Sequence, residues 1–517
     1  MNKHSISKYL RVLLTILVSV ALAACVVGPT YQKPAAPTVR SYTSAPLSTS
    51  IPAVVSASGP AASAQVLQIG AKVNAEWWKE FGSSKLDALV AQALQHNPDL
   101  EAALATLHEA QFNLKAANGI FYPQVSLGLG AERSRISGAS SGGQTGPQLY
   151  NLYTGQVSVS YYPDVFGLSR LVSSNEQAQV DIARDQLQAA RLTLEGNVVN
   201  TALNLAAVEE EVAVTRQTIS DQREILRLTT TLYQLGADSQ IDVLTQESQL
   251  ASTEARLPVL EQSRDALRHL LATYLGKFPS EAGGLTTPAL SGMRLPGTLP
   301  VSLPSTLVRE RPDILAAEAQ LRAANAQVGE AVARMYPSLE LTGDFGDQSN
   351  NGGQLFNPAS RIWDLAASIV LPLFEGGALE AQKHATESAY QAVFANYRST
   401  VLDAFLNVAD TLRALQHDST VLDAQARALQ AAQQGFELVR VQYQSGAVNY
   451  LNVLVSETLY ENARIAFVQA EAQRYADTTA LYIALGGGEW AGDGNDNHAS
   501  AKSDSTVAPH TDSNTQN

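Results

Sequence analysis

One cysteine, Cys25, is all the 517-residue chain contains, which excludes a disulfide framework, a Cys-ligated zinc site and a Cys-x-x-Cys redox pair. Charge is scarce as well: Asp, Glu, Lys and Arg make up 16% of the chain, against about 25% in ordinary soluble domains. Positive charge is the scarcer sign. With 35 Lys and Arg against 49 Asp and Glu the net charge is −14, and no basic face for nucleic acid is available. Beyond Leu22 there is no run of about 18 apolar residues, so no transmembrane helix is expected, and any membrane-spanning structure must be a β-barrel. The eight histidines, at 4, 96, 108, 269, 384, 417, 498 and 510, have no metal-ligand spacing. Phosphate loops, Gly-x-Ser-x-Gly elbows and His-Glu-x-x-His motifs are missing too. No catalytic, cofactor-binding or metal-binding residue is put forward, and the chain is not read as an enzyme.

What is present starts at the N-terminus. Lys3, Lys8 and Arg11 precede the apolar stretch Leu13 to Leu22, and Leu22-Ala23-Ala24-Cys25 supplies the small residues of a cleavage site, so residues 1–24 read as an export signal. Ending on the only Cys, the site resembles the bacterial lipobox, in which the cysteine is acylated and becomes the mature N-terminus; the alternative is an ordinary secretory signal with an incidental Cys. The uncharged Val26 agrees with sorting to the outer membrane. Residues 25–75 contain six prolines among Ser, Ala and Thr and read as a lipidated, extended tether. After Gly486 a tail, 487–517, rich in Asp, Asn, Ser and Thr, reads as disordered.

The body between them is a tandem duplication. Asn97-Pro98-Asp99-Leu100 recurs as Arg311-Pro312-Asp313-Ile314 and Tyr122-Pro123 as Tyr336-Pro337, both 214 residues on. Tyr233-Gln234-Leu235-Gly236-Ala237 recurs as Tyr443-Gln444-Ser445-Gly446-Ala447, now 210 residues on. The slip between these offsets is expected in the longer loop of the first copy, Gly138 to Pro147. The copies are assigned to 76–290 and 291–486.

Each copy reads helix, hairpin, long helix, turn, helix. Val125, Leu127, Leu129 and then Val157, Val159, Tyr161 alternate with small or polar residues, the period of two-faced strands, so a hairpin is expected at about 123–163 and its counterpart at about 337–374. Val198, Leu205, Val212, Ile219, Leu226 and Tyr233 fall every seven residues, and Val408, Leu415, Leu422, Leu429, Phe436 and Tyr443 do the same. From Gly167 to Tyr233 such a helix would be a rod of roughly 100 Å. Pro258 is expected to kink the first return helix. Four strands cannot close a transmembrane barrel, since bacterial single-chain barrels start at about eight. Two chains would give eight strands and a filled interior, three would give twelve and a lumen.

Cys25-Val26-Val27-Gly28-Pro29-Thr30-Tyr31, Trp77-Trp78, Phe81, Arg311-Pro312-Asp313, Tyr336-Pro337-Ser338-Leu339 and Leu371-Pro372-Leu373-Phe374-Glu375-Gly376-Gly377 together resemble the TolC-type outer-membrane factors. The lipidated N-terminus is similar to their NodT/OprM branch. The resemblance implies an α+β membrane protein, in which three tandem-repeat protomers form a twelve-stranded transmembrane β-barrel continued by a long periplasmic α-helical barrel. It also implies the outer-membrane channel of a tripartite efflux pump, served by a periplasmic adaptor and an inner-membrane transporter of RND type. A type I protein-secretion duct and a non-pore, lipid-anchored periplasmic scaffold are the alternatives. In the family, tyrosines and carboxylates near the second copy's turn close the periplasmic entrance. Here the gate candidates are Tyr233, Asp238, Asp242, Tyr443 and Asn452; Asn452, with Val448 and Val455, stands where relatives often carry Arg or Asp. Asp242 would ring the opening with negative charge and favour cations, or else cap the return helix.

Overall fold

In the computed structural model, which describes residues 26–39, 41–137 and 148–488, two short strands come first, β1 (Ser50–Ile51) and β2 (Gln65–Ile69). Helices α1 (Ser84–His96) and α2 (Pro98–Ala117) lead into strands β3 (Gln124–Ile136) and β4 (Gln148–Tyr161), and helices α3 (Leu168–Gln234) and α4 (Gln240–Tyr274) complete the first copy. After β5 (Thr298–Val301) the second copy repeats the plan with α5 (Pro304–Glu310), α6 (Pro312–Ala333), β6 (Ser338–Ser349), β7 (Arg361–Val370), α7 (Ala378–Gln444) and α8 (Tyr450–Ala484). Helices α3 and α7 have 67 residues each, about 100 Å of rod. Among the described residues no helix is long and apolar enough to cross a membrane.

Local chemistry sets these boundaries. Asn97 caps α2, its Oδ1 accepting from the backbone of Asp99 and Leu100 at 3.0 and 3.1 Å, with Pro98 pre-set at the first helical position. The long helices start after Gly167 and Gly377, whose φ angles of 86° and 84° a side chain resists. Both also end alike. In α3 Gly236 N–H donates to Tyr233 and Ala237 N–H to Leu232; in α7 Gly446 and Ala447 do the same to Tyr443 and Gln442, the paired bonds of a Schellman stop. The chain then turns straight back into α4 and α8.

The layers run in one order. Strands pair antiparallel as β3-β4-β6-β7, and the helices that enter and leave them pack as α2 on α3, α3 on α6 and α6 on α7. Sheet and helices therefore form one continuous wall, with β3 and α2 at one edge and β7 and α7 at the other. Where the helices meet the start of the chain the main core collects Trp77, Trp78, Phe81, Leu203, Leu205, Leu271 and Tyr482. Trp77 stacks on Tyr482 with ring centroids 5.3 Å apart.

One detail departs from the sequence reading. The segment expected as a tether is packed: Ile51, Val54, Leu67 and Val73 are buried in the main core, and β2 pairs in parallel with β5 in a small sheet β1-β2-β5. Its apolar residues, spread singly among Ser and Pro, leave no periodicity to read. The loop expected to hold the slip from 214 to 210, Gly138 to Pro147, lies outside the described residues; Gln124 pairs with Ser160 and Ser338 with Val370, so the offset is already 210 in β4 and the slip falls towards the tip of the first hairpin. Helix α4 is assigned as one helix from Gln240 to Tyr274, with the exposed Pro258, where the kink is expected, inside it.

Candidate functional site

Alternation along the strands separates the four-stranded sheet into two faces. Val125, Leu127 and Leu129 lie opposite Val159, Val157 and Gly155, and the same row continues across β6 and β7 through Leu341, Phe345, Trp363 and Leu365. These side chains are bare: Leu129 and Leu365 are each 77% exposed and Trp363 is 72% exposed. An apolar band of this extent facing outward suits a hydrocarbon surrounding and not water. The other face is polar. Ser126, Ser158, Asp344 and Asp364 lie in one cross-strand row, and Asp344 Oδ1 accepts from Ser158 Oγ at 2.5 Å and Gln156 Nε2 at 3.2 Å. Glu132 and Glu340 share this face, whereas Arg133, Arg135 and Arg361 alternate to the other one. The polar side is thus acidic.

Among the described residues, edge strands β3 and β7 have no partner on their outer sides in the sheet order. In a bilayer their open backbone groups cannot be left unpaired, so the sheet needs further strands to complete it. A scaffold that stays in water requires neither the bare apolar band nor this completion.

The far end of the long helices, where the chain turns, holds the second constellation. Tyr443 is 3% exposed; its hydroxyl donates to the Asp238 carboxylate across the turn and lies 3.1 Å from Thr229 Oγ1. Burial and that carboxylate push the Tyr443 hydroxyl above its ordinary range. The ring meets Tyr450 edge-on at 6.3 Å, and Tyr450 in turn donates to Gln246 Oε1. Gln246 Nε2 donates to the Gln222 carbonyl at 3.1 Å, and Gln222 Nε2 to Glu461 Oε1 at 2.7 Å. This polar chain ties α3, α4, α7 and α8 together around Ile225, Phe436 and Val453.

Two of the sequence candidates meet here, Asp238 and Tyr443. The others stand apart. Tyr233 is 43% exposed although it occupies the same place in the first copy as Tyr443 in the second. Asp242 completes a capping box, its Oδ2 accepting from Ser239 N at 3.2 Å and Ser239 Oγ at 2.7 Å. Asn452 donates from Nδ2 to Asn449 Oδ1 at 2.7 Å within its own turn. Cys25 lies outside the described residues. Its neighbour Val26 packs against Gly167, and Val27 N–H donates to Phe166 O at 3.2 Å, so the described chain begins at the junction of sheet and helices. Sequence reasoning missed Thr229, Gln222 and Gln246. The signal was there: Thr215, Gln222 and Thr229 are spaced by seven, three residues after each seam position, where a coiled coil normally places apolar residues.

The sequence profile described as outer membrane efflux protein matches residues 89–277 and 303–487. The pyoverdine export outer membrane protein OpmQ of Pseudomonas aeruginosa is 31% identical over 423 residues, covering 81% of this chain and 88% of that one. The cation efflux system protein CusC of Escherichia coli K12 is 28% identical over 485 residues, covering 92% of this chain and 99% of that one. Among solved structures, the outer-membrane channel OprN superposes with a TM-score of 0.80 at 27% identity, covering 90% of this chain and 99% of that one.

Proposed function

Because the chain belongs to the outer membrane efflux protein family, we propose that three copies of it close into one tube, a passive exit duct for small molecules. The protein is an outer-membrane efflux channel of the TolC-like α+β fold, with the sheet in the outer membrane and the long helices in the periplasm. Three times four strands makes twelve, enough for a lumen, and the polar face turns inward. The observation that carries this is the wall order. Edge β3 with α2 and edge β7 with α7 lie on opposite sides of the protomer, so successive copies join head to tail, and such a contact closes into a ring when the rotation fits.

Channels of this family are the outer-membrane parts of efflux pumps. The finer reading is a homotrimer that docks, through a periplasmic adaptor, to an RND-type transporter that supplies the energy. Pyoverdine and cations, the cargoes in the names of OpmQ and CusC, support small-molecule efflux, drugs and toxic compounds included, over protein secretion. Cys25 is read as the acylated N-terminus; the contacts of Val26 and Val27 at the sheet–helix junction support this reading. Tyr443 and Asp238 are read as the latch of the periplasmic entrance, with Tyr233, Asp242 and Asn452 in supporting places.

Detergent-extracted protein is expected at three times the chain mass, and a monomer that conducts ions would refute the shared tube. In planar bilayers Tyr443→Phe removes a hydrogen bond to a charged acceptor, about 1.5–3 kcal/mol, and should raise opening roughly tenfold or more. Mass spectrometry of the mature N-terminus should find an acylated Cys25.

A further inference from the structure

Beside the latch lies a buried group that it does not use. Glu457 of α8 is 2% exposed, and among the described residues neither of its carboxylate oxygens makes a hydrogen bond of ordinary geometry, although the Gln222 side chain lies close enough to oppose the rise of its carboxyl. Its own helix presents Glu461 and Tyr450, and α3 presents Asp221 and Gln222. From α4 come Gln246 and Arg256, and from α7 Phe436 and Tyr443. Arg256 and Arg464 act on Glu461, so the charges that bear most on Glu457 are negative. Gln222, fully buried, donates through Nε2 to Glu461, which fixes its amide orientation and leaves its Oε1 without a donor.

A buried carboxylate beside two others, next to an amide oxygen that also lacks a donor, is an expensive combination. One proton resolves it. As a neutral acid Glu457 no longer repels Glu461 and Asp221, and its O–H can donate to Gln222 Oε1. We propose that Glu457 and Gln222 form a proton-binding site whose occupancy keeps the periplasmic end of the four-helix assembly closed. The proposal rests on the latch reading, because Gln222 connects through Gln246 and Tyr450 to Tyr443.

Burial first, then Glu461 and Asp221, push the Glu457 carboxyl up to about 8. The folded value lies above the ordinary carboxylate value. The proton-linked stabilisation is therefore complete below about 4 and is lost as pH rises through about 8. The closed end should loosen on the alkaline side.

The test compares wild type, Glu457→Gln and Glu247→Gln in planar bilayers from about pH 6 to about pH 10. Glu247 is the exposed counterpart in the first copy. Wild type and Glu247→Gln should open more often as pH rises, approaching tenfold per pH unit up to about 8 for one linked proton and levelling off above it. Glu457→Gln, neutral and able to donate from its amide to Gln222, should hold the low-pH level throughout. A Glu457→Gln channel that follows wild type overturns the proposal. Infrared titration reads the proton without the channel: a protonated-carboxyl band should vanish across this range in wild type and be missing in Glu457→Gln. No difference between their bands overturns the site; a band difference with pH-independent wild-type opening overturns its hold on closure. Tyr443→Phe separates the two readings. If it leaves opening unchanged while Glu457→Gln abolishes the pH response, the latch fails and the proton site stands.

Discussion

In the first copy the long helix α3 buries 24 of its 67 residues while α2 buries two of 20; in the second, α7 buries ten of 67 while α6 buries 13 of 22. The copies have matching long and return helices, so burial is set by rank in the wall and not by the sequence of the element alone. Helices α3 and α6 stand in the middle and are covered on both sides; α2 and α7 stand at the edges. Leu402, Leu406 and Leu438 of α7 remain more than half exposed for that reason. Equivalent places can also reach one end by different chemistry. Before the proline of α2, Asn97 Nδ2 donates to Tyr274 O at the end of the first return helix; before that of α6, Arg311 Nη1 donates to Ala484 O at the end of the second, at 2.8 Å. Either way a side chain takes up an otherwise unpaired terminal carbonyl.

The largest difference between the copies is expected at Arg474 and its counterpart Arg264. Arg474 is fully buried and donates to the carbonyls of Ala61 and Ser63 at 2.7 and 2.8 Å. Arg264 only reaches its neighbour Asp265. Arg474→Ala should cost about 3 kcal/mol and Arg264→Ala no more than about 1, read by thermal unfolding of the extracted protein. Equal losses would mean that the second copy does not hold the N-terminal segment.

Next come the glycines that open the long helices. At Gly377 an added Cβ meets nothing within 4 Å, and Gly377→Ala should cost about 1 kcal/mol for the positive φ alone. At Gly167 the same atom would lie 2.9 Å from Val26 Cα. Gly167→Ala should therefore also free the N-terminal segment, seen as faster proteolysis between residues 26 and 39.

A smaller contrast concerns charge in the lumen. The second copy supplies Glu340, Asp344 and Asp364 to the polar face and the first copy Glu132. Asp344→Asn and Asp364→Asn should each lower cation preference in reversal-potential measurements more than Glu132→Gln does. The smallest effect belongs to Asp242→Asn, which turns the first tip into a likeness of the second, where Asn452 stands. It should cost a few tenths of a kcal/mol, visible as faster hydrogen exchange over residues 239–243, with selectivity nearly unchanged because the carboxylate is engaged by Ser239.

Patterns that repeat within one element were legible: the heptad seams, the two-faced strands, and the Gly236 and Gly446 stops, each with a local physical cause. Asp238 and Tyr443 could be named because the family resemblance implies tyrosines and carboxylates beside those stops. What could not be read depends on partners distant in sequence. The seam places Tyr233 and Tyr443 identically, yet only Tyr443 is enclosed. Gln222 and Thr229 looked like ordinary polar residues because they interrupt a position that apolar residues normally fill. The packed course of residues 41–75 escaped for another reason, since its contacts are with β5 and α8, hundreds of residues away.

That distance has a consequence for how the chain becomes native. Val66 must find Thr298, and Ala61 and Ser63 must find Arg474, so the earliest part to emerge during export waits for nearly the last. Contacts of such separation are slow to form, since the long loop they close must give up its freedom before any bond repays it. Until α8 arrives, Ile51, Val54 and Leu67 have incomplete cover, and such exposed apolar surface is prone to aggregation. The clasp at Arg474 thereby acts as a completeness check: a protomer truncated before α8 cannot secure its own beginning.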